Sequence, residues 1–307
     1  IGKTMINLAN RLYRIDFKSK ILRKLRVDSV LRVLVRNLFN IVIPFYYAVT
    51  KKEALNKVKR DTQVIVSLTS FPLRIGRLWI VVESLLRQSE KPDKIVLWLS
   101  RAQFPNELDD LPNRLRSQMK RGLEIQFVDE DIRSYKKFYY AFLKYTNDII
   151  ITVDDDIMYP DYMISDLYDL YKTNMKSVVA RYCYEMKSDK NGLLSYKDWK
   201  FVSLYEDYKS SELFFGSGGG VLFPPQSYSR EIFNKDMFLR ICSKADDVWL
   251  NAMVRLKGTP IVKVKRPTVI LPVLIKQDLK LFTTNIFDND KYLKAVQEQY
   301  GKIFVKN

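Results

Sequence analysis

From residue 62 onward, short apolar runs alternate with stretches of helical periodicity. Runs of strand length fall at 64–68 (VIVSL), 94–99 (KIVLWL), 125–128 (IQFV) and 149–153 (IIITV). Between them Leu78, Val81, Val82 and Leu85, then Phe138, Ala141, Phe142 and Tyr145, recur at i, i+3, i+4, i+7, which is one face of a helix. Apolar runs that are continuous rather than alternating suit strands covered on both faces. The order β-α-β-β-α-β therefore predicts an α/β fold: a mostly parallel, Rossmann-type sheet flanked by helices.

Further on, the pattern predicts a helix over 161–171, a strand over 176–184, and a polar, turn-rich loop over 187–211 that reads as an insertion or mobile segment. Trp249, Ala252, Met253 and Leu256 mark another helical face, with Gly258 as its stop. Before residue 60 the texture differs. Met5, Leu8, Leu12 and Ile15, then Val27, Leu31, Leu34 and Leu38, repeat at helical spacing, while Arg23, Lys24, Arg26, Arg32 and Arg36 fill other faces. Residues 38–49 (LFNIVIPFYYAV) form the most apolar stretch, short and interrupted by Pro44. The expected organisation is a basic amphipathic helical segment over 1–60 and an α/β domain with a C-terminal helical extension over 61–307.

Charge sharpens that division. The 307-residue chain carries a net +17, and residues 1–60 alone hold 15 Lys or Arg against 3 acids. A basic amphipathic helix followed by an aromatic, apolar patch fits a segment lying in an anionic membrane surface. A helical subdomain with a solvated basic face has the same composition, and basic patches attract any polyanion, although nucleic acid is not the expected partner. No run of about 20 uncharged apolar residues is present, and the N-terminal stretch lacks the pattern of a signal peptide. Two cysteines, Cys183 and Cys242, without ligand spacing, favour a reducing, cytoplasmic setting. There is no histidine. Any catalysis must rest on carboxylates, Lys, Tyr or a metal rather than on imidazole.

The chemistry concentrates where the fourth apolar run ends, in Asp154, Asp155 and Asp156. Three adjacent carboxylates need compensating charge. If the extended conformation persists, Asp154 and Asp156 project to one side and Asp155 to the other, a geometry suited to a hard divalent cation such as Mn2+ or Mg2+. An Asp-rich turn ahead of the next helix is the plainer alternative. Ligands of open parallel sheets sit beyond the carboxyl ends of the strands. Two further loops leave such ends: Thr69, Ser70, Phe71 and Arg74 in one, Arg133, Lys136 and Lys137 in the other, both with groups able to meet a diphosphate. Gly216, Gly218, Gly219 and Gly220 permit close approach of backbone to a ligand, without matching a phosphate-loop pattern. Asp246 and Asp247 begin the last helix, where the dipole favours their ionised form, whether as caps or as functional groups.

Taken in order, VIVSLTSFPLRI, DIRSYKK, ITVDDDIMYP, GSGGGVLFPP and ADDVWLNAMVRLKG resemble bacterial family 2-type glycosyltransferases of GT-A fold, found in capsule and exopolysaccharide synthesis. The resemblance spans about residues 62–269. It implies a GT-A-like domain, a nucleoside diphosphate sugar donor (a UDP-sugar), a Mn2+ or Mg2+ cofactor and a lipid-linked or polysaccharide glycan acceptor. It implies that Asp154 and Asp155 face the nucleotide and that Asp154 and Asp156 bind metal. It also makes Asp247 the catalytic base beside Asp246, puts Thr69, Ser70, Phe71, Arg74, Arg133 and Lys136 around the donor, and lines the cleft with Gly218, Gly219, Gly220 and Trp249. Such an enzyme would work at the inner face of the cell membrane. The chain departs from the resemblance in lacking a late histidine ligand, leaving water or an acid such as Asp288 or Asp290 for that role. Two other readings use the same features: a non-catalytic basic membrane- or nucleic-acid-binding protein, and a metal-dependent nucleotidyl or phosphoryl transferase.

Overall fold

The computed structural model describes residues 4–15, 19, 24, 26–50, 55–58, 60–190, 192–202, 208–274 and 280–304. Arg23 of the predicted basic face, and residues 191 and 203–207 of the predicted insertion, lie outside them.

The predicted α/β alternation is present. Strands β1 (Val64–Thr69), β2 (Lys94–Ser100), β3 (Leu123–Val128) and β4 (Ile149–Thr152) are parallel, and β2 follows β1 through helix α3 (Pro72–Leu86). The β2–β3 connection holds the short helix α4 (Asn113–Ser117), and α5 (Lys136–Lys144) joins β3 to β4. Beyond them come α6 (Met163–Thr173), β5 (Val178–Ala180), β6 (Cys183–Glu185), β7 (Ser188–Asp189), β8 (Gly192–Leu193), β9 (Lys200–Phe201), β10 (Tyr208–Lys209), β11 (Leu213–Phe215) and β12 (Val221–Phe223). Helices α7 (Lys235–Ile241) and α8 (Asp246–Leu256), strand β13 (Ile261–Lys263) and helix α9 (Lys280–Tyr300) complete the order. Among the described residues the central sheet has eight strands in the order β10-β13-β5-β12-β4-β1-β2-β3. It is mostly parallel; β12 runs antiparallel to both β4 and β5, and β10 antiparallel to β13.

Burial explains the continuous apolar runs. Val64, Val66 and Leu68 of β1 enter one core with Ile95, Leu97, Ile149 and Ile151. Ile65, Val96, Trp98 and Ile150 enter a second core on the other face. Successive side chains alternate between faces, so both faces must be covered for neither set to meet water.

Three expectations change. The predicted strand over 176–184 is two strands in different sheets: β5 joins the central sheet, while β6 pairs with β9 and β11. Arg181, buried in the break, donates to the Gly219 carbonyl and lies 3.6 Å from Asp166. Of the predicted insertion, the described part forms the β7–β8 hairpin, a turn at Tyr196–Asp198, β9, and β10 at the edge of the central sheet. Asp290 holds that turn, accepting from Ser195 Oγ at 2.5 Å and the Tyr196 amide at 2.7 Å, which engages both of its carboxylate oxygens.

The third concerns the N-terminal segment. Helix α1 (Met5–Tyr13) packs on α2 (Val27–Val49), and α2 runs unbroken through Pro44. Pro44 lacks the amide that would bond the Asn40 carbonyl, and Arg77 donates to that carbonyl instead, at 3.1 Å. The backbone acceptor freed by proline is thereby satisfied. Helix α2 is consequently long and apolar enough, by length and composition, to cross a membrane, which the sequence pattern did not indicate. Its Val35, Phe39, Ile43 and Tyr47 join the core beside α3.

Candidate active site

Strand β4 ends at Thr152, and the chain turns at Asp155 and Asp156. Strand alternation therefore does not govern the three carboxylates. Asp155 points inward, only 5% exposed, and accepts from Ser70 Oγ at 2.5 Å and from Arg74 Nη1 at 2.6 Å. Asp156 shares the same Arg74 nitrogen at 2.9 Å. Asp154 faces the other way, with the Lys137 ammonium 2.7 Å from its Oδ1. The turn is tied back by Tyr159, whose hydroxyl accepts from the Asp154 amide and donates to the Gly218 carbonyl.

Lys137 links this turn to the second acid pair. Its Nζ lies 2.8 Å from Asp246 Oδ2 and donates to Ser217 Oγ at 2.8 Å. The α5 start that carries it is fixed from two sides. Ser67 Oγ of β1 donates to the Lys137 carbonyl, and Tyr135 donates to the Cys242 carbonyl while stacking on Phe238 at 4.2 Å. Lys136, the lysine expected beside a diphosphate, is buried and paired with Asp131. Arg133 is exposed and reaches the Ser243 carbonyl at 3.5 Å. Consecutive helical residues point about 100° apart, so one lysine enters the acid cluster and its neighbour does not.

Helix α8 brings Asp246 and Asp247 in on its first turn. Neither acts as its cap: that residue is Ala245, which makes no side-chain cap bond. Asp247 Oδ1 instead accepts from the Ser217 amide at 3.0 Å. Asn251, one turn on, clamps β11 by donating to the Phe215 carbonyl at 2.8 Å and accepting from its amide at 3.1 Å. Gly258, at φ +76°, ends the helix region as expected. Trp249, expected in a cleft, is instead fully buried, its indole donating to the Ile232 carbonyl. A large apolar ring on the inner face of an amphipathic helix is core.

The glycine loop between β11 and β12 is shaped by close packing. A Cβ at Gly219 would meet Tyr182 Cβ at 2.4 Å and its backbone nitrogen at 2.9 Å, and one at Gly218 would meet Asp154 Oδ2 at 3.1 Å. Gly220 holds φ +91°, open to glycine at little cost. Gly218 is half-buried while Gly216, Gly219 and Gly220 are buried, so Gly218 is the loop's point of access beside Asp154. Of the first loop, Thr69 donates to the Trp98 carbonyl and Phe71 lies under the Arg74 guanidinium, 5.3 Å from it, as the residue preceding α3. Tyr159, Ser217 and Asn251 lie inside the strings quoted above, but nothing in their type or spacing marks a role there; only their partners in space reveal them.

The electrostatics follow from crowding. Five carboxylates (Asp154, Asp155, Asp156, Asp246 and Asp247) face Arg74 and Lys137. Burial, with Asp154 and Asp155 adding to it against Arg74, pushes Asp156 up to about 6. Burial and then the neighbouring Asp246 push Asp247 up to about 7, although Lys137 opposes this. The helix dipole was expected to keep Asp247 ionised; desolvation outweighs it. Burial likewise raises Asp155 against Arg74 and Ser70. For Lys137 burial disfavours the charge, but Asp154, Asp246 and Asp247 outweigh it and raise its proton affinity well above that of an ordinary lysine.

Such a surplus of all-oxygen donors fits a hard divalent cation. Among the described residues no three Asp, Glu or Cys side chains are grouped as a cage for one. Asp154, on Lys137, and Asp156, on Arg74, would therefore offer such a cation at most a partial ligand set, the rest coming from outside the protein, as Mg2+ commonly accepts.

No family model and no curated protein matches this sequence. Among solved structures, the chain is similar to a mannosyltransferase from Pyrobaculum calidifontis in complex with GDP-mannose and Mn2+. The two share 9% identity with a TM-score of 0.45, over 87% of this chain and 77% of that one.

Proposed function

We propose that this chain is a GT-A-like glycosyltransferase that moves a sugar from a nucleoside diphosphate sugar, a UDP-sugar on our reading, to a hydroxyl of a lipid-linked or polysaccharide glycan. The observation that carries this is the junction of two acid sets through Lys137: the Asp154–Asp156 turn at the carboxyl end of β4 and the Asp246–Asp247 pair on α8. One set has charge suited to a cation and phosphates. The other holds a carboxyl group whose proton affinity lies near neutrality, where a general base works best.

In this reading the donor lies across the carboxyl edge of the sheet. Ser70 and Arg74 orient the Asp155–Asp156 turn toward its nucleotide, and Gly218 gives the donor access beside Asp154. Asp247 takes the proton of the acceptor hydroxyl as that oxygen bonds to the anomeric carbon. The bond to the diphosphate breaks on the opposite face, so the anomeric centre inverts. Asp246, paired with Lys137, adds to burial in raising the proton affinity of Asp247 and so strengthens it as a base. A Mn2+ or Mg2+ ion on Asp154 and Asp156 would supply neutralisation of the diphosphate's charge.

The test is calorimetric titration of UDP and GDP with and without Mn2+, on wild type and Asp156→Asn, followed by a screen of UDP-sugars for hydrolysis. Nucleotide binding that requires both Mn2+ and Asp156 supports the proposal and identifies the base. Binding of neither nucleotide refutes it, and release of inorganic phosphate or diphosphate from a nucleotide, with no sugar freed, assigns a phosphoryl or nucleotidyl transferase instead.

A further inference from the structure

Helix α2 presents two unlike faces. Val35, Phe39, Ile43 and Tyr47 are at most 6% exposed and belong to the core. On the opposite side Val30, Leu34, Leu38, Ile41, Phe45 and Val49 stand in one row, 56–73% exposed. Their spacing of four, four, three, four and four residues keeps them on a single stripe. The nineteen residue-to-residue steps from Val30 to Val49 make that stripe roughly 28 Å long. Scattered exposed leucines need no explanation, but a continuous row of this length marks a surface that something apolar covers.

The stripe does not belong to a spanning helix. Asn40 donates to the Pro272 carbonyl at 2.9 Å and accepts from the Leu274 amide at 2.7 Å, and Arg77 bonds the Asn40 carbonyl. Arg87 stacks over Tyr47 at 4.6 Å and donates to the Thr50 carbonyl. A helix locked along its inner face to a charged, folded body cannot be surrounded by lipid. Only its outer face is available, in the plane of whatever it meets.

Charge selects the occupant. Arg26 precedes the stripe at its amino end, exposed as Lys24 is, and Arg11 of neighbouring α1 and Arg14 just after it stand exposed as well. A cavity of about 540 Å³ between α1, Tyr46 of α2 and Arg266 is lined by Arg11 and Arg14 as well. The net charge of residues 1–60 is +12. A second copy of the chain would bring the same positive charge to the contact, whereas an anionic bilayer answers both the stripe and the arginines.

We infer that α2 docks in the plane of an anionic lipid surface, with Val30, Leu34, Leu38, Ile41, Phe45 and Val49 entering the boundary between headgroups and acyl chains. The inference shares with the proposed function the setting of a membrane-borne acceptor, but it needs no donor and no turnover. Interfacial helices of this kind combine apolar insertion with attraction to anionic headgroups, so binding weakens both with salt and with loss of the apolar side chains.

The test is co-sedimentation of the full chain with vesicles of phosphatidylcholine alone or with a third phosphatidylglycerol. Wild type and Ile41→Asp/Phe45→Asp are compared, with light scattering of each without lipid. We expect binding to the anionic vesicles only, and a loss of about tenfold or more in the double variant, since two large apolar groups are removed from the interface. Nucleotide binding by the same variant should be unchanged, which separates failure of this inference from failure of the transferase reading. In a Phe45→Trp chain, lipids brominated near the headgroup should quench the new indole more than lipids brominated near the chain ends. Undiminished binding of the double variant, equal binding to neutral vesicles, stronger quenching by the deep bromines, or a wild-type dimer that the variant dissociates would each overturn the inference.

Discussion

The ammonium of Lys137 lies 2.8 Å from Asp246 Oδ2 and holds together two acid sets that the chain separates by about 90 residues. The same nitrogen is 2.7 Å from Asp154 and is almost wholly buried. Removing one partner of a buried charge cluster leaves the others uncompensated, which typically costs about 3–5 kcal/mol. Lys137→Met should therefore lower stability by that order at neutral pH. The loss should shrink in acid, where protonation relieves the orphaned carboxylates. Urea unfolding at pH values near 5 and 8 checks this, and an equal loss at both would contradict the role given to Lys137.

Asp247 should set both activity and a pH-dependent cost. Its carboxyl group, raised to about 7 when folded, binds a proton that an unfolded aspartate has already lost. Between the unfolded value and about 7 the folded state holds more protons, so this group's contribution to stability falls as pH rises through that window. Asp247→Asn keeps an acceptor for the Ser217 amide and removes the penalty. It should stabilise the protein at alkaline pH by at most about 4 kcal/mol, with no gain at about pH 4. Sugar transfer should fall roughly 10²- to 10⁴-fold, the usual share of a positioned base. Wild-type transfer should rise with pH through about 7. Thermal unfolding at both pH values and initial-rate profiles measure these outcomes; undiminished turnover would remove Asp247 from the mechanism.

Arg74 compensates Asp155 and Asp156 through one nitrogen, at 2.6 and 2.9 Å. Arg74→Met should destabilise the turn, because Asp155 is 5% exposed and would keep only Ser70. The second carboxylate is more open, so proton uptake by Asp156 should begin at higher pH in the variant. Carboxyl titration followed by NMR would show it, and an unmoved Asp156 would contradict the pairing.

Two glycines should respond in opposite directions. An added methyl at Gly219 meets backbone and Cβ of Tyr182, which cannot swing aside as a side-chain tip can. Gly219→Ala should cost about 1–3 kcal/mol and displace the loop beside Asp154. Gly76, exposed within α3, meets nothing within 4 Å. Gly76→Ala should stabilise by up to about 1 kcal/mol, because alanine is the better helix former. Denaturant midpoints of the two variants decide it.

The sequence alone determined the α/β alternation, the coverage of both sheet faces, the triple Asp at a strand's carboxyl end and the stop at Gly258. These are local properties: continuous apolar runs, helical periodicity and turn chemistry are written in neighbouring residues and are satisfied within a few turns of chain. What the tertiary structure decided were matters of partnership across the chain. Lys136 and Lys137 are identical in type and adjacent, and only the seating of α5 on Ser67 and Cys242 sends Lys137 into the acids. Pro44 reads as a break until Arg77 supplies the missing donor. Trp249 could line a cleft or fill a core with the same periodicity, and the fold buried it. Asp247 begins a helix whose dipole favours its charge, yet burial beside Asp246 raised it. In each case the outcome depends on which groups from distant segments arrive within a few ångströms, and on how much water they exclude.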